Sequence, residues 1–136
     1  MQSEGLIDTN VFIHALRGDG RSHECREFLK LLRTGERRVR LEPYVVHELT
    51  FVIGRVLKQM TREETVAYIR EVIEWPGIEC ERELLVGALV RWQRPGIAFA
   101  DALLATQAQL NNTVVFTVNT KHFADAGVAA SLLPES

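Results

Sequence analysis

The chain has 136 residues, a formal net charge of −2, 46% hydrophobic residues and 25% charged residues. This length fits one folded domain with a sizeable core, and the composition excludes a disordered or fibrous chain. No apolar run approaches the roughly 18–20 residues of a membrane helix, and the first residues lack the pattern of a secretory signal. We therefore expect one domain over residues 1–136, located in the cytoplasm, where Cys25 and Cys80 remain buried thiols.

The first half of the chain alternates short apolar runs with helical patterns. The apolar run at residues 5–7 predicts a strand that ends at Asp8, and Thr9 is a candidate cap for the helix that follows. Pro43 is well suited to the first turn of a later helix. The predicted segments are the strand 5–7 and the helix 10–17, the helix 23–33 ending at Gly35, the strand 39–41 and the helix 43–59.

The second half repeats this alternation. Thr61 and Glu64 have the spacing of a capping box, and Pro-Gly pairs at 76–77 and 95–96 interrupt the helical patterns. The predicted segments are the helix 61–74, the strand 78–80, the helices 83–93 and 98–110, and the strand 114–118. Short apolar strands between helices indicate an α/β fold with a parallel sheet covered on both faces, whose ligands bind beyond the carboxyl ends of the strands.

Residues 26–40 form a local basic stripe within this weakly acidic chain. Six basic side chains outweigh two acidic ones there: Arg26, Lys30, Arg33, Arg37, Arg38 and Arg40 against Glu27 and Glu36. The pattern fits a solvated helix end as well as it fits a surface that contacts phosphate groups.

Three carboxylates stand at positions that are unusual for purely structural acids. Asp8 directly follows the first apolar run, and Glu48 lies at the edge of the apolar face of its helix. Asp101 falls about 60° from Leu104, which we take as the centre of an apolar helix face. Each acid also has a plain structural interpretation: Asp8 caps a turn, Glu48 pairs with a nearby arginine at the surface, and Asp101 caps a helix that starts later.

Considered together, these acids favour a metal site. Ionised carboxylates that are buried must be paired, protonated or bound to a metal. Oxygen ligands from separate elements, without cysteine or suitably spaced histidine, suit Mg²⁺ or Mn²⁺. Such an ion activates water and offsets charge on a phosphodiester, so the residues point to metal-assisted phosphoryl chemistry.

Four segments, taken in order and spacing, are similar to the PIN-domain family, and more narrowly to the VapC-type toxin ribonucleases of bacterial toxin–antitoxin pairs. The resemblance covers essentially the whole chain. The segments are Leu6-Ile7-Asp8-Thr9-Asn10-Val11, Val46-His47-Glu48-Leu49, Ala100-Asp101-Ala102-Leu103-Leu104-Ala105 and Val115-Phe116-Thr117-Val118-Asn119-Thr120-Lys121-His122-Phe123.

The resemblance implies a three-layer α/β/α sandwich with a central parallel sheet and a Mg²⁺- or Mn²⁺-dependent endoribonuclease activity. Carried over by position, it makes Asp8, Glu48 and Asp101 the acidic metal cluster, with Asp8 and Asp101 as its principal ligands. It further implies an RNA substrate, a small antitoxin partner and a homodimer.

The same resemblance assigns a supporting role to three neutral residues. Asn10 and Thr117 would support the site as polar groups behind the ligands. Asn119 stands where many relatives have a fourth acid, so one negative charge is missing and the second metal ion is the one affected.

Two other functions remain open at this point. A HAD-type phosphatase also begins with a strand followed by an aspartate, but it needs a second acid where this chain has Asn10. A catalytically weak PIN-like module that binds RNA or a protein partner is supported mainly by Asn119. His122 falls near the site in the sequence and could contact an RNA phosphate, but a surface role is favoured. Trp75 and Trp92 are interpreted as core or interface residues rather than base-stacking platforms.

Overall fold

The structure is a computed structural model that describes residues 2–57 and 60–134. Over these residues the chain forms helices joined by very short strands. In chain order the elements are α1 (Thr9–Arg17), α2 (Ser22–Thr34), β1 (Val39–Arg40), α3 (Pro43–Val56), α4 (Arg62–Ile73), β2 (Ile78–Glu79), α5 (Arg82–Trp92), α6 (Phe99–Leu110), β3 (Val115–Phe116), α7 (Thr120–Asp125) and β4 (Ala130–Ser131). No helix in this part of the chain has both the length and the apolar character needed to cross a bilayer.

Local signals place several helix ends where the sequence predicts them. Gly35 ends α2 in the left-handed conformation, with φ of 84°, and Pro43 occupies the first turn of α3. The predicted capping box at the start of α4 is present: the Glu64 amide donates to Thr61 Oγ1, and the Thr61 amide donates to Glu64 Oε1. These predictions are confirmed, except that α3 ends at Val56 and the last part of its predicted range lies outside the described residues.

The first strand is shorter than predicted. Leu6 forms a single parallel bridge with Arg40, and the Ile7 amide donates to the Arg40 carbonyl over 3.1 Å. The pairing stops there because α1 begins at Thr9, with Asp8 at the N-cap position. The prediction that Thr9 caps this helix is therefore wrong, and Thr9 is instead a buried residue of the first turn.

The named strands pair in parallel, as an α/β fold requires, and they form two sheets of two strands each. In one sheet Val39 is opposite Ile78, and in the other Val115 is opposite Ala130. The predicted strand 114–118 shortens to the two residues of β3. Helix α7 and strand β4 are additions that the sequence analysis did not predict.

The chain divides into two compact units, the first unit at Met1–Arg82 and the second unit at Glu83–Ser136. In the first unit, α1 packs on both α2 and α3, and α3 packs on α4. Its most deeply buried large side chains are Phe12, Leu32, Leu41, Leu49, Ile53 and Ile69. Trp75 is buried, as predicted, and both cysteines are free thiols, with Cys25 buried and Cys80 half-buried.

The second unit buries a different face of α6 from the one that periodicity indicates. Leu104, the predicted centre of the apolar face, is 47% exposed, so that prediction is wrong. The buried side chains of α6 are Phe99, Ala102, Ala105, Thr106 and Ala108. Gly87 of α5 lies so close to Thr106 that a Cβ atom there would meet its side chain. Small residues therefore line the buried face, and the larger leucine is turned outward.

Candidate active site

Asp8 occupies the N-cap position of α1 but does not act as a side-chain cap. Its backbone is extended, with φ of −90° and ψ of 150°, and its carboxylate accepts no capping hydrogen bond. The side chain is exposed, and no ion pair in the described part of the chain includes it. An extended N-cap that leaves its carboxylate uncommitted keeps two oxygen ligands available for a cation.

Glu48 lies on the exposed side of α3, next to the buried positions Leu49 and Thr50. Among residues 2–57 and 60–134, Glu48 forms no ion pair with an arginine. The purely structural interpretation of Glu48 depends on such a pair. Asn10, in the first turn of α1, is also exposed. Asp8 and Glu48 are therefore two exposed carboxylates of the first unit that form no ion pair among the described residues.

Asp101 is held differently, in the first turn of α6 in the second unit. Its side chain is 43% exposed, so it is not the deeply buried acid that the sequence analysis expects. Asp101 Oδ2 lies 3.3 Å from His122 Nε2, and the His122 side chain is 27% exposed. Asp101 is an N-terminal-turn residue of α6 and not its cap, since Ala98 occupies the N-cap position.

A chain of hydrogen bonds connects this pair to two of the predicted supporting residues. Thr117 Oγ1 accepts from the Asn119 amide over 3.0 Å, and Asn119 Oδ1 accepts from the His122 amide over 3.2 Å. Asn119 is thereby the N-cap of α7, the helix that carries His122. Thr117, Asn119, His122 and Asp101 thus form one connected polar group.

The contact between His122 and Asp101 is not predicted by the sequence. The favoured interpretation of His122 is a surface residue, whereas its ring lies against Asp101 and packs edge-on to Phe123, with ring centroids 5.3 Å apart. The available signal was Asn119, a good N-cap residue placed before Thr120 and His122. This capping signal at Asn119 predicts α7, but it does not predict the contact of His122 with Asp101.

The three predicted ligands are all carboxylates, which are the oxygen ligands that hard cations such as Mg²⁺ prefer. Two of them, Asp8 and Glu48, form no ion pair among the described residues. Asp8 and Glu48 belong to the first unit and Asp101 to the second. Among the residues that the structure describes, no group of three or more His, Cys, Asp or Glu side chains is gathered in a way that could hold a metal ion.

The parallel strands and the helices between them define an α/β protein. The chain matches the family model of the PIN domain over residues 5–128, and it therefore belongs to the PIN-domain family. Comparisons with curated proteins and with solved structures found no match. PIN domains are typically nucleases that use divalent metal ions, so the family places this chain among the hydrolases of nucleic acids.

Proposed function

We propose that this protein is a Mg²⁺- or Mn²⁺-dependent endoribonuclease, the toxin of a VapBC-type toxin–antitoxin pair. The observation that carries the proposal is the family match over residues 5–128, which includes Asp8, Glu48 and Asp101. The exposed carboxylates of Asp8 and Glu48 support it, because neither forms an ion pair among residues 2–57 and 60–134 and each can therefore bind a cation.

In this proposal Asp8 and Asp101 are the principal ligands of the metal ion, and Glu48 completes the acidic set. When bound, the ion supplies a nucleophilic water and offsets charge on the RNA phosphodiester. His122 orients the Asp101 carboxylate through the 3.3 Å contact, and Asn119 fixes His122 by capping α7. Thr117 supports Asn119, and Asn10 is a polar neighbour of Asp8 in the first turn of α1.

Asn119 sets the proposed number of ions. Its carbonyl oxygen is neutral and already accepts from the His122 amide, so it adds no charge to the acidic set. We expect one strongly bound ion in the protein alone, with a second recruited by the phosphate groups of the substrate.

The proposed biological setting is cytoplasmic. The toxin would form a homodimer and bind a small antitoxin that brings a basic side chain to the acidic residues, because ionised carboxylates attract a cation. A catalytically weak module that binds RNA or a protein is the second candidate, favoured by the neutral Asn119 and its use as a helix cap.

A cleavage assay separates the two candidates. Structured RNA is incubated with the protein under titrated Mn²⁺ or Mg²⁺, with EDTA as the matched control and Asp8→Asn as the matched variant. The enzyme predicts metal-dependent cuts that EDTA and Asp8→Asn both remove, and growth arrest on expression that Asp8→Asn relieves. Intact RNA at every metal concentration, with bound RNA detected, would establish the module instead.

A further inference from the structure

A pocket of about 480 Å³ lies between α1 and α2 in the first unit. Its volume is within the roughly 300–1,000 Å³ of pockets that enclose small organic ligands. The residues of each helix that line it recur every three or four positions, so they lie on one face of that helix. The walls are Asn10, Val11 and His14 on the α1 side and Arg21, Glu24, Cys25 and Phe28 on the α2 side.

The floor of the pocket is apolar and includes an aromatic ring. Val11 and Phe28 are half-buried, and Cys25 is buried. Burial raises the pKa of the Cys25 thiol, so the thiol is uncharged at neutral pH. The Arg37 guanidinium lies 5.7 Å from the centre of the Phe28 ring, but Arg37 is outside the pocket walls and is paired with Glu4. This floor suits a flat, uncharged ring.

Each charged wall of the pocket is paired with an opposite charge. Arg21 Nη1 donates to Glu24 Oε1 over 3.1 Å, and both residues line the pocket. His14 Nδ1 lies 2.6 Å from Asp19 Oδ2, and Arg17 Nε lies 3.8 Å from the same oxygen. The walls therefore carry no excess charge of either sign, which favours an uncharged ligand over a phosphate.

Two polar groups of the pocket remain available to a ligand. Because a carboxylate only accepts, the contact with Asp19 places the proton of a neutral His14 ring on Nδ1 and leaves Nε2 as an acceptor. Within the described residues, neither this nitrogen nor the side-chain amide of Asn10 has a hydrogen-bond partner. An aliphatic side chain of another protein would cover both groups without satisfying them, whereas the edge of a nucleobase offers donors and acceptors.

We propose that this pocket binds an unpaired base of the RNA substrate, next to the phosphodiester that is cut. Asn10 lies two residues after Asp8, so their Cα atoms are at most about 7.6 Å apart. A base held in the pocket therefore brings the adjoining phosphodiester to this candidate metal ligand. Single-stranded RNA is commonly recognised through bases that stack on aromatic side chains and form hydrogen bonds at their edges. The assignment of the ligand to RNA rests on the proposed nuclease function.

Removal of the bases from the RNA tests the pocket without using catalysis. Calorimetric titrations in EDTA compare the RNA tetranucleotide 5′-ACGU with an abasic tetranucleotide of the same sugar–phosphate backbone, at several KCl concentrations. The wild type should bind the abasic chain about 5- to 150-fold more weakly, the range expected for stacking of one base on an aromatic side chain. The slope of log K against log salt should be the same for both chains, because their phosphates are the same.

Two variants of the pocket should lose this discrimination. Phe28→Leu keeps an apolar side chain but removes the ring, and Val11→Phe fills the pocket with a larger side chain. In both variants the ratio of the two affinities should fall to near 1, with the salt slope unchanged. Phe51→Leu is the matched control, because Phe51 is a 60% exposed ring of α3 outside the pocket walls, and it should keep the wild-type ratio. Circular dichroism establishes that each variant is folded.

The outcomes keep this inference separate from the proposed function. Equal binding of the two chains by the wild type, or the wild-type ratio in folded Phe28→Leu and Val11→Phe, would overturn the base pocket. If both variants keep that ratio but change the oligomeric state in size-exclusion chromatography, a protein surface covers the pocket instead. Absence of metal-dependent cleavage, with base-dependent binding retained, would overturn the nuclease alone. Cleavage with equal binding of the two chains would overturn the pocket alone.

Discussion

The two compact units of this chain hold their charged side chains in different ways. In the first unit, Arg37 pairs with Glu4 over 2.8 Å and Arg40 pairs with Glu42 over 2.7 Å. In the second unit, the acceptors around Arg91 are a carbonyl, a hydroxyl and an amide. An arginine that already faces a carboxylate has less attraction left for an outside anion, whereas one held by neutral groups keeps it.

This difference bears on the two interpretations of the basic stripe at residues 26–40, although Arg26 in that stripe also donates to a neutral group, the Ala15 carbonyl. Lys30 pairs with Glu27, and the Arg33 guanidinium lies 4.9 Å from the centre of the Trp75 ring. Together with the pairs of Arg37 and Arg40, these contacts favour a solvated structural surface over a phosphate-contacting one. We therefore expect substitutions among the paired charges of the first unit to change stability, and substitutions around Asp101 to change function.

The largest expected effect is on catalysis. Asp101→Asn should lower metal-dependent RNA cleavage by more than about 100-fold, since loss of a group behind a ligand alone costs roughly 10–100-fold. The fold should survive, because the side chain is 43% exposed and a surface substitution usually changes the free energy of unfolding by less than about 0.5 kcal/mol. Cleavage rates and thermal melts of both proteins measure the two expectations.

The matched control for this prediction is Glu83→Gln, the same carboxylate-to-amide change at an exposed acid of the second unit. It should retain metal-dependent cleavage. A strongly destabilised Asp101→Asn that still cuts RNA would show that Asp101 is structural and would remove the contrast between the units.

The next effect is on stability and belongs to the first unit. A Cβ atom at Gly77 would meet the backbone carbonyl oxygens of Arg37 and Leu32, neither of which can rotate away. Gly77→Ala should therefore lower the free energy of unfolding by about 1–3 kcal/mol, the usual cost of overpacking. Urea unfolding measures it, with Gly54→Ala as control, because a Cβ there meets nothing within 4 Å. Equal stability of the two variants would contradict the prediction.

What the sequence predicts well in this chain is local. The start of α4 depends on Thr61 and Glu64, three residues apart, and the end of α2 depends on Gly35 alone. Such signals act within one helical turn, so they can be identified without knowing the fold. The parallel pairing of the strands also follows from the alternation of strands and helices.

What the sequence does not predict depends on residues far apart in the chain. The contact of His122 with Asp101 spans 21 positions, and β4 exists because Ala130 pairs with Val115. The outward position of Leu104 depends on the neighbouring helix, where Gly87 lies against Thr106. Periodicity identifies apolar residues but not the helix that will cover them. The assignment of Asp8, Glu48 and Asp101 as metal ligands stays a prediction.

A smaller effect is expected at the capping box of α4. Thr61→Ala removes the acceptor for the Glu64 amide and should lower the free energy of unfolding by about 1 kcal/mol. Thr113→Ala, at an exposed position outside the helices, is the matched control and should change it by less than about 0.5 kcal/mol. Chemical unfolding of both variants checks the difference, and RNA cleavage by each should equal that of the wild type.

The smallest effect depends on pH and compares two glutamates. Arg37 Nε donates to both oxygens of Glu4, over 2.8 and 2.9 Å, and together with the Arg38 amide it lowers the pKa of that carboxyl.

A pKa that is lower in the folded than in the unfolded chain stabilises the fold above the ordinary glutamate value of about 4.3, and the gain is lost as the pH falls through the folded value. Glu4→Gln should therefore be slightly less stable than wild type at pH 7, and the difference should vanish in acid. Glu48→Gln makes the same chemical change where no ion pair is formed among the described residues. It should leave the melting temperature unchanged at pH 7 while reducing cleavage. Thermal melts of the three proteins at pH 7 and in acid measure this difference. Identical pH profiles for Glu4→Gln and wild type would mean that the pair of Glu4 with Arg37 adds nothing to stability.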